Sequence, residues 1–414
     1  MGQEVIWVGI DVGRYFHAWC AMDQDGQVVW KRDRVSNTTA AMSKALEQLQ
    51  RVAAGRPLRF GSEEPGGNAA ALIRLLTAAG MQILLTQPLR VNRFHLALGQ
   101  PHKSDPYDAE VIADFMRQNG GRLAQVRVGT TETEALRVLS RRLDQVGKDF
   151  RRCLNRLRAT LAEYAPEWLV NKLFSDWSGE TALHTLERYG RISKLARTPL
   201  GRLSRALSHW SRGHFGADKA RQLQQAFAQV TLPEALEAAY ADTVSSLVAQ
   251  IRSLQTERGR LEAQLASFAT AVPALGAVEA ELGYGWETAA IIASEVRQIA
   301  DFDREPCFAT YCGVTPLKRR SGISQGSSHL SRFTNKRLLK AVCQAAMSAL
   351  RSDPCSQAYY QKKLAGREDP RSKTMALLAL ARHRTRRLYK VLCQSAARSE
   401  GEAHQPSPQF GVAA

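Results

Sequence analysis

Apolar and polar positions change their period along the chain. Near the start, "EVIWVGIDVG" (4–13), "YFHAWCAMD" (15–23) and "QVVWKRDRV" (27–35) are short apolar or alternating runs parted by polar or glycine-containing turns. They predict three strands joined by close turns. "TTAAMSKALEQLQRVAAG" (38–55) follows with helical spacing and a threonine at its start, which predicts a capped helix. "PLRFGSEE" (57–64), "GNAAALIRLLTAAG" (67–80) and "MQILLTQP" (81–88) then add strand, helix and strand. Three strands without crossover helices favour an α/β ribonuclease-H-like mixed sheet over a doubly wound nucleotide-binding sheet.

From Glu134 the period lengthens. Leu136, Leu143, Phe150 and Leu157 recur every seven residues, with Leu139, Val146 and Cys153 offset by three. Tyr240, Leu247, Leu254, Leu261 and Phe268 repeat the device, accompanied by Val244, Ile251 and Leu265. The spacing predicts two long helices able to form a coiled coil, with each other or with a second subunit; a plain helical bundle is the bland alternative. Residues 165–230 between them read as helical, with no function legible in them. The organisation expected is an α/β domain over 1–125, a coiled-coil and helical region over 126–271, a mainly α-helical basic domain over 272–397 and a disordered tail over 398–414.

Composition sharpens the picture through charge. The 414 residues carry 57 Lys and Arg against 39 Asp and Glu, for a net charge of +18. The 114 positions from Asp301 onward hold 20 of the basic and only 8 of the acidic residues. Between Glu305 and Asp353 no acid occurs, while Lys318, Arg319, Arg320, Arg332, Lys336, Arg337, Lys340 and Arg351 do. Such a surface implies a polyanion as partner, whereas a merely solvated face mixes its signs. Seven dispersed cysteines without a CxxC pair fit a reduced, cytoplasmic chain. No signal peptide is legible, and "MALLALA" (375–381), stopped by Arg382, is far too short for a membrane span.

Candidate chemistry lies first in carboxylates. Asp11 interrupts the first strand in "GIDVG", where an acid is costly unless paired or bound to a metal. Glu63 or Glu64 ends the fourth strand, which neighbours the first in the expected sheet. "HKSDPYDAEVIADFM" places Asp105 and Asp108 on one face at the start of a helix. Four oxygen ligands suit hard Mg²⁺, in a pair that engages phosphodiester oxygens. Singly, each acid also reads as a turn, a solvated pair or a helix cap. Lys103 is a candidate phosphate contact or an ordinary surface lysine, and His17, His95 and His102 are not spaced as a zinc site.

A second constellation lies in the basic domain. Gly283 and Gly285 in "LGYGWETAAIIASEV" predict a tight turn that directs amides outward at a helix start, where one phosphate can bind. Glu281 and Glu287 beside that turn disfavour it. In "GVTPLKRRSGISQGSSHLSRFTNKRLLKAV", Ser321 follows three cations, which would neutralise an attacked phosphate. No general base is evident nearby, and Ser321, Ser324, Ser327 and Ser328 all remain open as plain loop serines.

Together these elements resemble the bacterial insertion-sequence transposases that join an N-terminal RuvC-like DEDD domain to a C-terminal serine-bearing domain, related to Piv-type DNA invertases. "GIDVG" matches the first acid. "EEPG" matches the second, assigning it to Glu63, with Pro65 where the family has threonine. "KSDPYDAE" matches Asp105 and Asp108, and the glycine hairpin lacks its customary proline. "GVTPLKRRSG" and "TNKRLL" match the serine element. The resemblance makes Ser321 the nucleophile that links covalently to DNA. Lys103, Gly283, Gly285, Lys318, Arg319, Arg320, Arg332, Asn335, Lys336, Arg337 and Lys340 are the candidate nucleic-acid contacts. The resemblance further implies two Mg²⁺ ions held by Asp11, Glu63, Asp105 and Asp108, donor and target DNA, and an element-encoded structured guide RNA. A dimer or tetramer built across the coiled coil, and a nucleoid-associated place in a bacterial cytoplasm, complete the expectation. The competing classes are a metal-dependent, junction-resolving endonuclease with a water nucleophile, and a non-catalytic nucleic-acid scaffold.

Overall fold

The computed structural model describes residues 4–62, 67–86, 88–99, 105–123, 125–126, 128–281, 283–319, 327–330, 334–367 and 369–403, with backbone alone at 317–319, 327–330 and 399–403. They fall into two compact units that meet between Thr130 and Thr131.

The first unit is the expected α/β domain. β1 (Ile6–Val12), β2 (Phe16–Met22) and β3 (Val28–Ser36) form an antiparallel meander, followed by α1 (Thr39–Ala53). Thr38 caps α1 by accepting a hydrogen bond from the Ala41 amide. β4 (Leu58–Ser62), α2 (Ala70–Ala78) and β5 (Gln82–Leu85) complete a sheet of order β3-β2-β1-β4-β5, in which β1, β4 and β5 are parallel. Then come α3 (Pro88–Ala97) and α4 (Asp105–Asn119).

Strand alternation decides what lies on each face. Ile6, Val8, Ile10 and Trp19 pack with Leu46, Leu49, Leu72 and Leu76 of α1 and α2. The opposite face receives α4 at very close range. A Cβ on Gly9 would sit 2.2 Å from the Ala109 carbonyl oxygen and 2.4 Å from the Ala113 amide, and one on Gly61 would strike the Met116 sulfur. Glycine at these two positions lets the helix lie on the sheet.

The second unit is helical. α5 (Thr131–Tyr164) leads into α6 to α10 (Glu167–Val170, Glu180–Tyr189, Ile192–Arg197, Leu200–Trp210 and Ala217–Phe227), and α11 (Glu234–Ala266) returns. α5 and α11 are the two heptad helices, and they pair with each other antiparallel. Leu136 lies in one core with Leu265, Cys153 Sγ is 3.6 Å from the Leu247 carbonyl, and Tyr164 stacks on Tyr240 at 5.1 Å. Leu136, Val146, Cys153, Leu157, Val244, Leu247, Ile251, Leu261 and Leu265 are thereby buried within one chain. The apolar seams no longer supply a reason for a second subunit, which corrects the expectation built on them.

Residues 165–230 form a cap of their own on this hairpin. Trp168, Leu183, Leu186, Tyr189, Leu195, Leu203 and Phe227 join Leu157, Leu161 and Val248 in one core. The remaining elements are α12 (Pro273–Glu279), α13 (Trp286–Val296), α14 (Glu305–Tyr311), β6 (Pro316–Arg319), β7 (Ser327–Leu330), α15 (Lys336–Ser352), α16 (Pro354–Leu364) and α17 (Pro370–Ala403). Their core takes in Leu136 and Leu265, so no break in packing marks residue 272. α17 also runs past 398, where a disordered tail was expected. Ala396, Ala397, Arg398 and Glu400 are good helix formers and extend it to Ala403.

Candidate functional site

The parallel pairing of β1 and β4 puts their C-terminal ends on one edge, with Ile10 opposite Ser62. Asp11 follows on β1, opposite Ala18 of β2, and shares the α4 face with Trp7 and Gly9. α4 runs the other way: Gly120, just past its end, meets the Trp7 ring, while Ala109 and Ala113 lie on Gly9. Two residues along the strand from Gly9 advance about 7 Å, and four back along the helix from Ala109 advance about 6 Å. Asp11, Asp105 and Asp108 are therefore carried to the same end of the sheet.

The donor set at that end is carboxylate oxygen, which fits a hard divalent cation. His17, by strand parity, is on the opposite face, and burial, opposed by Asn37, drives its pKa below the ordinary value. His95 packs edge-on against Tyr107 at 5.2 Å. Among the described residues no three His, Cys, Asp or Glu side chains close on a common point. Glu63, which follows β4 in the chain, and Lys103, which precedes α4, lie outside the described residues, as does Glu64.

In the second unit the basic residues divide into two kinds. Arg337 donates to Glu295, to the Ser140 carbonyl at 2.9 Å and to the Ser140 hydroxyl at 3.0 Å. Arg141 forks onto both Glu295 oxygens at 2.8 and 3.1 Å, and Arg137 approaches at 3.9 Å. Asn335 donates to Glu295 at 2.8 Å while its own oxygen caps α15 by accepting from the Arg337 and Leu338 amides. Asn335 and Arg337 are thus fastened to a buried acid, which corrects their assignment to nucleic acid. Lys336 is exposed; Lys340 is exposed too but bonds Asp144 at 3.1 Å. Glu295, only 3% exposed, is the residue that sequence reasoning missed. Its one signal is an acid inside the apolar run "AAIIASEV".

The glycine turn has a structural explanation at its first position. Gly283 adopts φ +84°, and a Cβ there would lie 2.8 Å from the Ala345 carbonyl oxygen of α15. Gly285 is open, and it precedes α13 with no side-chain cap. Both line a groove of about 500 Å³ with Trp286, Arg151, Arg258 and Lys340. The neighbouring acids are compensated: Glu287 bonds Arg258 at 2.6 Å and Glu281 pairs with Arg387. β6 and β7 pair antiparallel, with Lys318 opposite Ser328 and Arg319 opposite Ser327. Arg320, Ser321, Ser324 and Arg332 lie outside the described residues.

Comparison with known proteins finds two transposase domains along the chain. Residues 8–166 match a DEDD-type transposase domain of the IS110 group, and residues 279–361 match the transposase domain of the IS116/IS110/IS902 family. The chain is 27% identical to the insertion element IS900 uncharacterized 42 kDa protein of Mycobacterium paratuberculosis, over 94% of this chain and 96% of that one. It is 24% identical to the insertion element IS110 uncharacterized 43.6 kDa protein of Streptomyces coelicolor, over 94% of each. Against the insertion element IS116 uncharacterized 44.8 kDa protein of Streptomyces clavuligerus it is 26% identical, over 94% of this chain and 95% of that one. Both transposase domains in order, on relatives aligned almost end to end, place the chain in the IS110/IS116 family of insertion-element transposases, enzymes that process DNA.

Proposed function

We propose that the protein excises and inserts its insertion element by RNA-guided DNA strand exchange through a covalent serine–DNA intermediate. The observation that carries the DNA-cleaving part is the placement of Asp11, Asp105 and Asp108 at one end of the sheet, beside the strand that leads into Glu63. These four carboxylates would hold two Mg²⁺ ions, which supply Lewis acidity toward phosphodiester oxygens. Ser321 attacks the phosphorus, one P–O ester bond breaks, and the freed DNA hydroxyl leaves with the proton. A hydroxyl of the partner DNA then attacks the serine phosphoester and returns the serine hydroxyl. The energy of the broken bond is conserved, so rejoining needs no external source. A structured guide RNA would specify donor and target by base pairing, which suits a strongly basic chain without a recognisable base-reading module. The protein works in the bacterial cytoplasm at the nucleoid.

Denaturing a reaction on labelled DNA and mapping the modified peptide tests the nucleophile. Ser321→Ala should bind DNA and RNA yet form no adduct, while Ser324→Ala and Ser327→Ala keep it. An adduct on another residue defeats the assignment. A strand break with no adduct in the unsubstituted protein would instead favour water as nucleophile, as in a junction-resolving endonuclease.

Lys103, Gly285, Lys318, Arg319, Arg320, Arg332, Lys336 and Lys340 remain the proposed phosphate contacts. Lys336→Gln should make the slope of log K against log salt shallower by about one. Arg337→Gln should leave the slope nearly unchanged and lower the melting temperature. A slope change in Arg337→Gln equal to that in Lys336→Gln would return the guanidinium to the DNA surface.

A further inference from the structure

The turn from β1 to β2 carries Arg14, Tyr15 and Phe16, which the chemistry above does not use. Tyr15 is 70% and Phe16 43% exposed, an unusual degree for large rings at the mouth of a site. Each has a cation at its ring: the Arg14 guanidinium carbon is 5.7 Å from the Tyr15 centroid, and that of Arg34, from β3, is 4.1 Å from the Phe16 centroid. The tip is fixed. The Asn37 amide donates to the Tyr15 carbonyl at 2.8 Å, and the Asn37 side chain donates to the Arg14 carbonyl at 3.1 Å.

Strand register places this tip relative to the carboxylates. Asp11 is opposite Ala18, and Phe16 stands two residues from Ala18 on β2. Phe16 therefore shares the α4 face with Asp11, displaced by about 7 Å along its strand. Asp33, the acid of β3, lies 3.9 Å from Lys31. An exposed π-face next to a cation is the arrangement that receives an unstacked base while the cation neutralises backbone phosphate. A base in an intact duplex offers no free face to a protruding ring.

We propose that Tyr15 and Phe16, backed by Arg14 and Arg34, form a stacking platform for a base of the single DNA strand adjoining the phosphate at the carboxylate end. This rests on the reading of Asp11, Asp105 and Asp108 as the DNA-cleaving end. The platform would hold the strand splayed open and so set the position of the reacting phosphate.

The test uses the full-length chain and a single-stranded oligodeoxynucleotide carrying 2-aminopurine, whose fluorescence falls on stacking. The unsubstituted protein should quench the probe. Tyr15→Ala and Phe16→Ala should each weaken binding about tenfold and lose quenching, since stacking on one ring is worth that much. Phe16→Trp should restore both, and Phe16→Leu, which keeps apolar bulk without a π-face, should not. Equal binding and quenching by Phe16→Leu and the unsubstituted protein would overturn the platform. So would quenching of a 2-aminopurine RNA of the same sequence without quenching of the DNA. Asp11→Asn separates the two ideas: it should lose strand exchange and keep quenching. If Asp11→Asn keeps strand exchange, the carboxylate reading fails whatever the probe shows.

Discussion

Converting Asp11, Asp105 or Asp108 to the matching amide lowers single-turnover strand exchange by at least about a thousandfold, the scale on which members of one catalytic unit act. Each change keeps shape and removes the charge that a divalent cation requires. Glu63→Gln behaves in the same way, and Glu64→Gln keeps its turnover. Asp105 is exposed and Asp11 half-buried at a strand end, so neither belongs to the apolar core. Thermal melting of Asp105→Asn should stay within about 0.5 kcal/mol of the unsubstituted protein, as for changes made at exposed positions. Rapid-quench assays on a labelled duplex, with and without chelator, read the result. Turnover within tenfold of normal in Asp108→Asn, or normal turnover in the presence of chelator, would remove the carboxylates from the chemistry.

The sheet, and the strand and helix that carry Asp11, Asp105 and Asp108, are largely legible in the sequence because each signal is local. Period-two apolar runs and close turns specify β1, β2 and β3, and "GIDVG" carries in five residues both the acid and the glycine that admits α4. Direction follows from topology: two antiparallel pairings turn β3 back to the direction of β1, and the β3–α1–β4 crossover then makes β4 parallel to β1 and aligns their ends. What is not legible is long-range partnership. A heptad seam reads alike whether its mate is in the same chain or another, and α5 finds α11 a hundred residues later. The acid-free run around α15 looks like open positive surface, yet the acid that neutralises Arg337 lies outside it, 42 positions earlier. A lone glutamate in an apolar helix gives no hint that three arginines from two other helices meet it.

Glu295 consequently carries a large stability effect in the second unit. Burial alone would raise its carboxyl, but hydrogen bonds from Arg141 and Asn335 and the charges of Arg141 and Arg337 outweigh that and hold it at about 2. Removing the negative charge of the buried Glu295 leaves the half-buried Arg137 and Arg337 and the exposed Arg141 facing a neutral amide, and breaking a pair with one buried partner costs up to about 3–5 kcal/mol. Glu295→Gln should therefore lower protection of the α13 and α15 amides against hydrogen exchange at pH 7 by that amount. The sign of the pH dependence follows from the direction of the shift. A carboxyl whose folded pKa lies below its ordinary 4.5 stabilises the fold fully above that value. The stabilisation, about 3 kcal/mol for a shift of this size, fades as pH falls from 4.5 toward 2. The unsubstituted protein should lose protection through that window, while Glu295→Gln, already lacking the titrating group, should change less, so the two converge toward pH 2. Parallel curves separated by a constant amount would show that the loss in Glu295→Gln is one of shape and hydrogen bonding. In that case the charge of Glu295 would not be what locks α15 to α5.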